Sequence, residues 1–71
     1  MKIKKGEKLL INDKRKGIYI VIAEENFDTE ETEFFPVILF STSVKGLNTT
    51  WQKGDKIPCR KSLIEFQKYY I

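Results

Sequence analysis

Glu33-Phe34-Phe35-Pro36-Val37-Ile38-Leu39-Phe40-Ser41-Thr42 is the stretch around which the chain has to fold. It is the longest apolar run, too short to span a membrane and rich in β-branched and aromatic side chains. Such a run reads as a strand buried on both faces at its centre. Strand alternation sets Phe34, Pro36, Ile38 and Phe40 on one face and Phe35, Val37, Leu39 and Ser41 on the other. Pro36 has no N–H to give, which puts it near the strand's start or on an edge. A short chain covers both faces most economically with a strongly bent antiparallel sheet that closes on itself.

Working outward, Lys8-Leu9-Leu10-Ile11 reads as a short strand after Gly6. Ile18-Tyr19-Ile20-Val21-Ile22-Ala23 is the clearest strand by propensity. Between them, Asn12-Asp13-Lys14-Arg15-Lys16-Gly17 has turn residues at both ends, so the two strands are expected to form an antiparallel hairpin. Residues 24–33 form a polar loop in which Phe27 is expected to fold back onto the core. Ser43 to Asn48 is turn-rich, residues 49–52 have strand propensity, and Lys53-Gly54-Asp55 is a tight turn. Lys56 to Cys59 reads as an edge strand limited by Pro58. Ser62-Leu63-Ile64-Glu65 matches a capping box, giving a helical turn from Leu63 that continues either as helix or as a last strand. The expected core is Leu10, Ile18, Ile20, Ile22, Val37, Leu39, Phe40 and Trp51.

Composition bounds the rest. Seventy-one residues make a single domain over residues 1–71, and a chain this size buries only ~60% of its unfolded surface. With one cysteine, an internal disulfide and a multi-cysteine metal site are excluded; with no histidine, the commonest zinc ligand and general base are missing. No apolar segment follows Met1-Lys2-Ile3-Lys4-Lys5 to make a signal peptide, so a cytoplasmic location is expected. Eleven lysines against two arginines and nine isoleucines against one alanine suit an A/T-rich coding sequence. That composition points to a low-G+C bacterium, or to a phage or plasmid living in one.

Charge is unevenly placed. Residues 1–16 hold seven bases and two acids, residues 24–33 six acids and no base, and residues 45–68 six bases and two acids. A basic beginning and end therefore flank an acidic middle.

Lys5-Gly6-Glu7-Lys8 before the first strand, Lys16-Gly17-Ile18-Tyr19-Ile20-Val21 opening the second, Phe35 to Phe40 as the central strand and Thr49-Thr50-Trp51 entering the next together resemble an SH3-like small β-barrel of the KOW or Tudor type. The resemblance covers roughly residues 5–52; residues 53–71 run longer than the usual last strand. It implies a mainly β fold, an antiparallel barrel of about five short strands, and a non-enzymatic binding module for nucleic acid, peptides or a protein partner.

The side chains agree with a binding module. Neither a histidine-activated nucleophile nor a glycine-rich phosphate loop occurs. Cys59, beside Pro58, reads as a packed, inert thiol, and the acids of residues 24–33 lack the internal glycine of a calcium loop. No catalytic residue, cofactor, metal or membrane is expected. The first expected partner is nucleic acid, held by Lys14, Arg15, Lys16, Lys53, Arg60 and Lys61 with Trp51 as a stacking surface. Tyr19, Tyr69 and Tyr70 are further candidates for stacking, and Trp51 and Tyr19 are equally candidates for the core. The alternative is a protein-interaction module or small inhibitor that uses the acidic loop through Glu24, Glu25, Phe27, Asp28, Glu30 and Glu31.

Overall fold

The computed structural model describes residues 1–41 and 51–70, and within them the chain is mainly β and antiparallel. Eight short strand segments follow one another: β1 (Lys2–Ile3), β2 (Lys8–Asp13), β3 (Gly17–Ala23), β4 (Phe27–Asp28), β5 (Phe34–Phe35), β6 (Val37–Ser41), β7 (Cys59–Arg60) and β8 (Ile64–Lys68). A single 3-10 turn, Lys61–Leu63, links β7 to β8. The main sheet has the order β6-β3-β2-β8, and β1-β4 and β5-β7 make two-stranded ladders. Among the described residues these sheets do not close into a barrel.

The β2–β3 hairpin forms as expected, in register from Lys8–Ile22 to Asp13–Gly17. Its turn closes because Gly17 takes φ +99°, a left-handed value that costs a glycine nothing. The central apolar stretch is one bent strand serving two ladders. Before Pro36 it pairs with β7, and after it with β3. Pro36 stands at the change of partner, where no ladder asks for its missing N–H, and its carbonyl accepts from the Glu24 N–H at 2.8 Å. Farther along, β6 gains one residue against β3 between Leu39 and Ser41, a bulge at Phe40. Its other edge is covered by the turn at residues 53–55: the Leu39 N–H donates to the Asp55 carbonyl and the Gly54 N–H to that of Leu39.

Three expectations are corrected. The core face of the hairpin is shifted by one residue: Leu9, Ile11, Tyr19, Val21 and Ala23 are buried, Leu10 and Ile22 only partly so, and Ile18 is exposed. Ile20 is buried although it belongs to the outer row. Leu9 to Ile11 and Ile18 to Ala23 are apolar at every position, so alternation alone could not choose the face. The central strand is fully buried on one face only: Phe35, Val37 and Leu39 are buried, whereas Pro36, Ile38 and Phe40 on the other face are half-buried and Phe34 is 60% exposed. At the C-terminus the helical turn starts two residues early and no side chain caps it, and the chain then continues as strand β8. Once Asp13 pairs with Ile64, each following residue has a partner on β2.

Val37 and Leu39 are buried as expected, and Trp51 packs half-buried against the core. Ile3, Ile57, Cys59 and Ile64 complete that core. Phe27 does fold back, its ring 5.0 Å from that of Phe35, which in turn meets Phe66 edge-on at 5.1 Å. Residues 43–48, Thr49 and Thr50 lie outside the described residues, and Trp51 and Gln52 are not in a strand.

Candidate nucleic-acid interface

Asp13 is the anchor of the candidate surface. It ends β2 on the inward row with Ile11, and its side chain is fully buried. Oδ1 accepts the backbone N–H groups of Arg15 at 2.8 Å and Lys16 at 3.3 Å, an Asx-type turn that holds the segment carrying the three cations. Oδ2 accepts the Tyr19 hydroxyl at 3.0 Å. Arg15 Nε lies 3.5 Å from Oδ1. Burial pushes the Asp13 carboxyl up, but these donors outweigh it and hold it below its ordinary range. Burial, with the Asp13 carboxylate adding to it, pushes the Tyr19 hydroxyl far up, so it stays a donor.

From Tyr19 the arrangement runs outward to the surface. Trp51 meets the Tyr19 ring edge-on, with centroids 5.5 Å apart, and the Lys16 ammonium stands 5.6 Å over the Trp51 ring. The next turn of chain is joined to this one, since the Lys14 N–H donates to the Leu63 carbonyl in the turn that carries Lys61. Lys14, Arg15, Lys16 and Trp51 are thereby brought together, with the Lys61 turn alongside.

The other two expected residues are engaged separately. Arg60 is paired with Glu33, Nε to Oε2 at 3.0 Å, and its guanidinium lies 5.7 Å from the Phe34 ring. Lys53 stands 5.1 Å over the Phe40 ring, which Lys8 also approaches at 4.8 Å. Nothing in the sequence spacing marked Phe40 as a meeting point for two lysines, because the bulge that places it there is a tertiary feature. Asp13 was legible only as a turn residue; its burial follows from the shifted face.

The acidic loop is partly neutralised from within the chain. Bonds from Ser62 and the Arg60 guanidinium hold the Glu33 carboxyl low. Asp28 is held low by the Glu30 N–H and by the terminal amine, 3.4 Å away. The Lys5 N–H donates to Asn26 Oδ1, so the basic N-terminal arm lies against the same loop. Glu24 and Glu25 rim a shallow groove floored by Phe35, Pro36, Val37 and Ile57, with Lys56 across it.

Among the described residues no group of three or more His, Cys, Asp or Glu side chains is placed to hold a metal ion, and no helix is long and apolar enough to cross a membrane. Cys59 is buried, and burial together with the nearby Asp13 charge pushes its thiol up to about 12. Comparison with family models, with curated proteins and with solved structures yields no match.

Proposed function

We propose that this protein is a non-enzymatic, SH3-like binding module for single-stranded nucleic acid, with Lys14, Lys16, Lys61 and Trp51 as its contact surface. The observation that carries the reading is the Lys16 ammonium over the Trp51 ring at the rim of a turn holding three successive cations. Cations track phosphates without regard to sequence, and an aromatic ring beside them gives a base a place to stack. Arg15 contributes less, because part of its charge is spent on Asp13.

Two further features support it. The strand order β6-β3-β2-β8, with β7 on the bent central strand and a 3-10 turn leading into the last strand, agrees with the SH3-like resemblance. The internal neutralisation of Glu33 and Asp28 removes part of the negative field that would repel a phosphate chain.

The test is binding of a fluorescent single-stranded oligonucleotide over a salt series. Contact with roughly four phosphates gives a slope near −0.9 per phosphate for duplex and −0.7 for single strands, so affinity falls by roughly 150-fold for duplex and roughly fiftyfold for single strands between about 50 and 200 mM salt. Absence of binding at the low-salt end overturns the reading. In that case the acidic loop becomes the candidate surface, and capture of a protein from a bacterial lysate that is lost on neutralising residues 24–33 would support it.

A further inference from the structure

The four-stranded sheet has two outer edges, and they differ. The edge of β6 is bridged by Lys56 and by the turn at residues 53–55. That of β8 is bare. The Lys14 N–H donates to the Leu63 carbonyl and the Tyr69 N–H to that of Lys8, which fixes the phase of the β2–β8 ladder. In an antiparallel ladder hydrogen-bonded pairs alternate with pairs that face away. The backbones of Leu63, Glu65, Gln67 and Tyr69 therefore turn towards β2, and those of Ile64, Phe66 and Lys68 turn outward. Of these outward groups only the Ile64 N–H has a partner, the Lys61 carbonyl. The edge runs in unbroken register from Asp13–Ile64 to Leu9–Lys68, with neither a proline nor a bulge to blunt it, and its charged residues are Glu65 and Lys68.

From this edge we infer that the protein self-associates as a two-fold dimer in which β8 pairs antiparallel with β8 of a second copy, centred on Phe66. The outward groups are self-complementary in that register. Each Phe66 N–H meets the other Phe66 carbonyl, and each Lys68 N–H meets the other Ile64 carbonyl, making four backbone bonds. Side chains follow the same rule. Glu65 falls opposite Gln67 of the second copy, a carboxylate facing an amide donor, and Ile64 falls opposite Lys68. No like charges oppose each other. The same patch meets itself on both copies, so the contact closes as a dimer and does not propagate into a fibre. A ladder of five residues is at the small end of protein interfaces, so the dimer is weak, forming at micromolar protein or above. Each copy carries +3, so salt screens their repulsion and strengthens the dimer, the reverse of its effect on nucleic-acid binding.

Sedimentation velocity from micromolar to millimolar protein, at low and high salt, reads this directly. The expected result is a concentration-dependent dimer that tightens as salt rises. Gln67 and Glu65 are exposed, so changing them leaves the melting temperature where it was. Gln67→Lys sets a cation opposite each Glu65 and should tighten the dimer by about two- to thirtyfold, while Gln67→Glu sets like charges opposite and should weaken it by a similar factor. A chain that stays monomeric up to millimolar concentration overturns the inference. So does a dimer that responds equally, or not at all, to the two substitutions, since its contact then lies elsewhere.

Discussion

The Tyr19 hydroxyl donates to Oδ2 of Asp13 at 3.0 Å across the β2–β3 hairpin, inside the core. This bond ties the buried end of the hairpin to the turn that carries the three cations. Removing the hydroxyl by Tyr19→Phe leaves Asp13 its backbone donors and should cost only about 1 kcal/mol. Asp13→Ala is more severe. It strands the Tyr19 hydroxyl in the core and releases the turn, and a loss of roughly 2–3 kcal/mol is expected. Urea midpoints of the two variants against wild type check the ranking.

The same carboxylate makes stability depend on acid. Asp13 titrates lower in the folded chain than its ordinary value of 3.8. Its stabilisation is therefore complete above pH about 4 and is lost as the pH falls through the lower, folded value. Glu7, Asp28 and Glu33 are also held low but are solvated, and their share is small. Asp13→Asn should thus be less stable than wild type at neutral pH and should lose less on going to pH about 2.5. Parallel pH profiles of the two proteins would contradict this.

The shifted core face has its own test. Ile11 is fully buried and Leu10 is only partly so, although both are large aliphatic residues on β2. Ile11→Ala should cost about 2–5 kcal/mol, comparable with the whole stability of a domain this small. Leu10→Ala should cost clearly less and leave a cooperative melt. Equal losses at the two positions would show that both faces are covered.

Cys59 is buried, and burial together with the Asp13 charge pushes its thiol up to about 12. Only a minute fraction is thiolate near neutral pH, and the sulfur is shielded from reagents. Native alkylation should be slow and should accelerate sharply in denaturant. Fast native labelling would mean that β7 opens.

The hairpin over residues 8–23 and the tight turn at residues 53–55 were legible in the sequence because each rests on local chemistry: turn residues, glycine φ and β-branched runs. The face of the hairpin was not, because Leu9-Leu10-Ile11 and Ile18 to Ala23 are apolar at every position and only the burial of Asp13 and Tyr19 settles the phase. The break at Pro36 was legible as an edge signal, but not as a change of partner. Of the expected basic surface, Lys14, Arg15 and Lys16 were adjacent in sequence and stay together. Arg60 was drawn away by Glu33, twenty-seven residues distant, a pairing no local pattern carries.

The last prediction concerns that surface. Trp51 is the chain's one tryptophan, so its fluorescence reports on its own ring. If a base stacks there, it must displace or share the ring with Lys16, and adding single-stranded oligonucleotide should quench the emission as binding saturates. Changing Lys14 and Lys16 together to Ala should weaken binding to all sequences alike and flatten the salt slope by roughly 0.7 per lost phosphate contact. Both lysines belong to a surface turn, so the melting temperature should hardly move. Arg60→Ala is the matched control. It removes an equal single charge but one already paired with Glu33, and affinity should change less than with Lys16→Ala alone. Trp51→Ala should lose ~1–3 kcal/mol of single-strand affinity. Because that ring also packs on Tyr19, its melt is measured alongside, and quenching in the wild type decides whether the lost affinity reflects stacking. Unquenched emission at saturating oligonucleotide would remove Trp51 from the interface and leave a surface that reads phosphates alone.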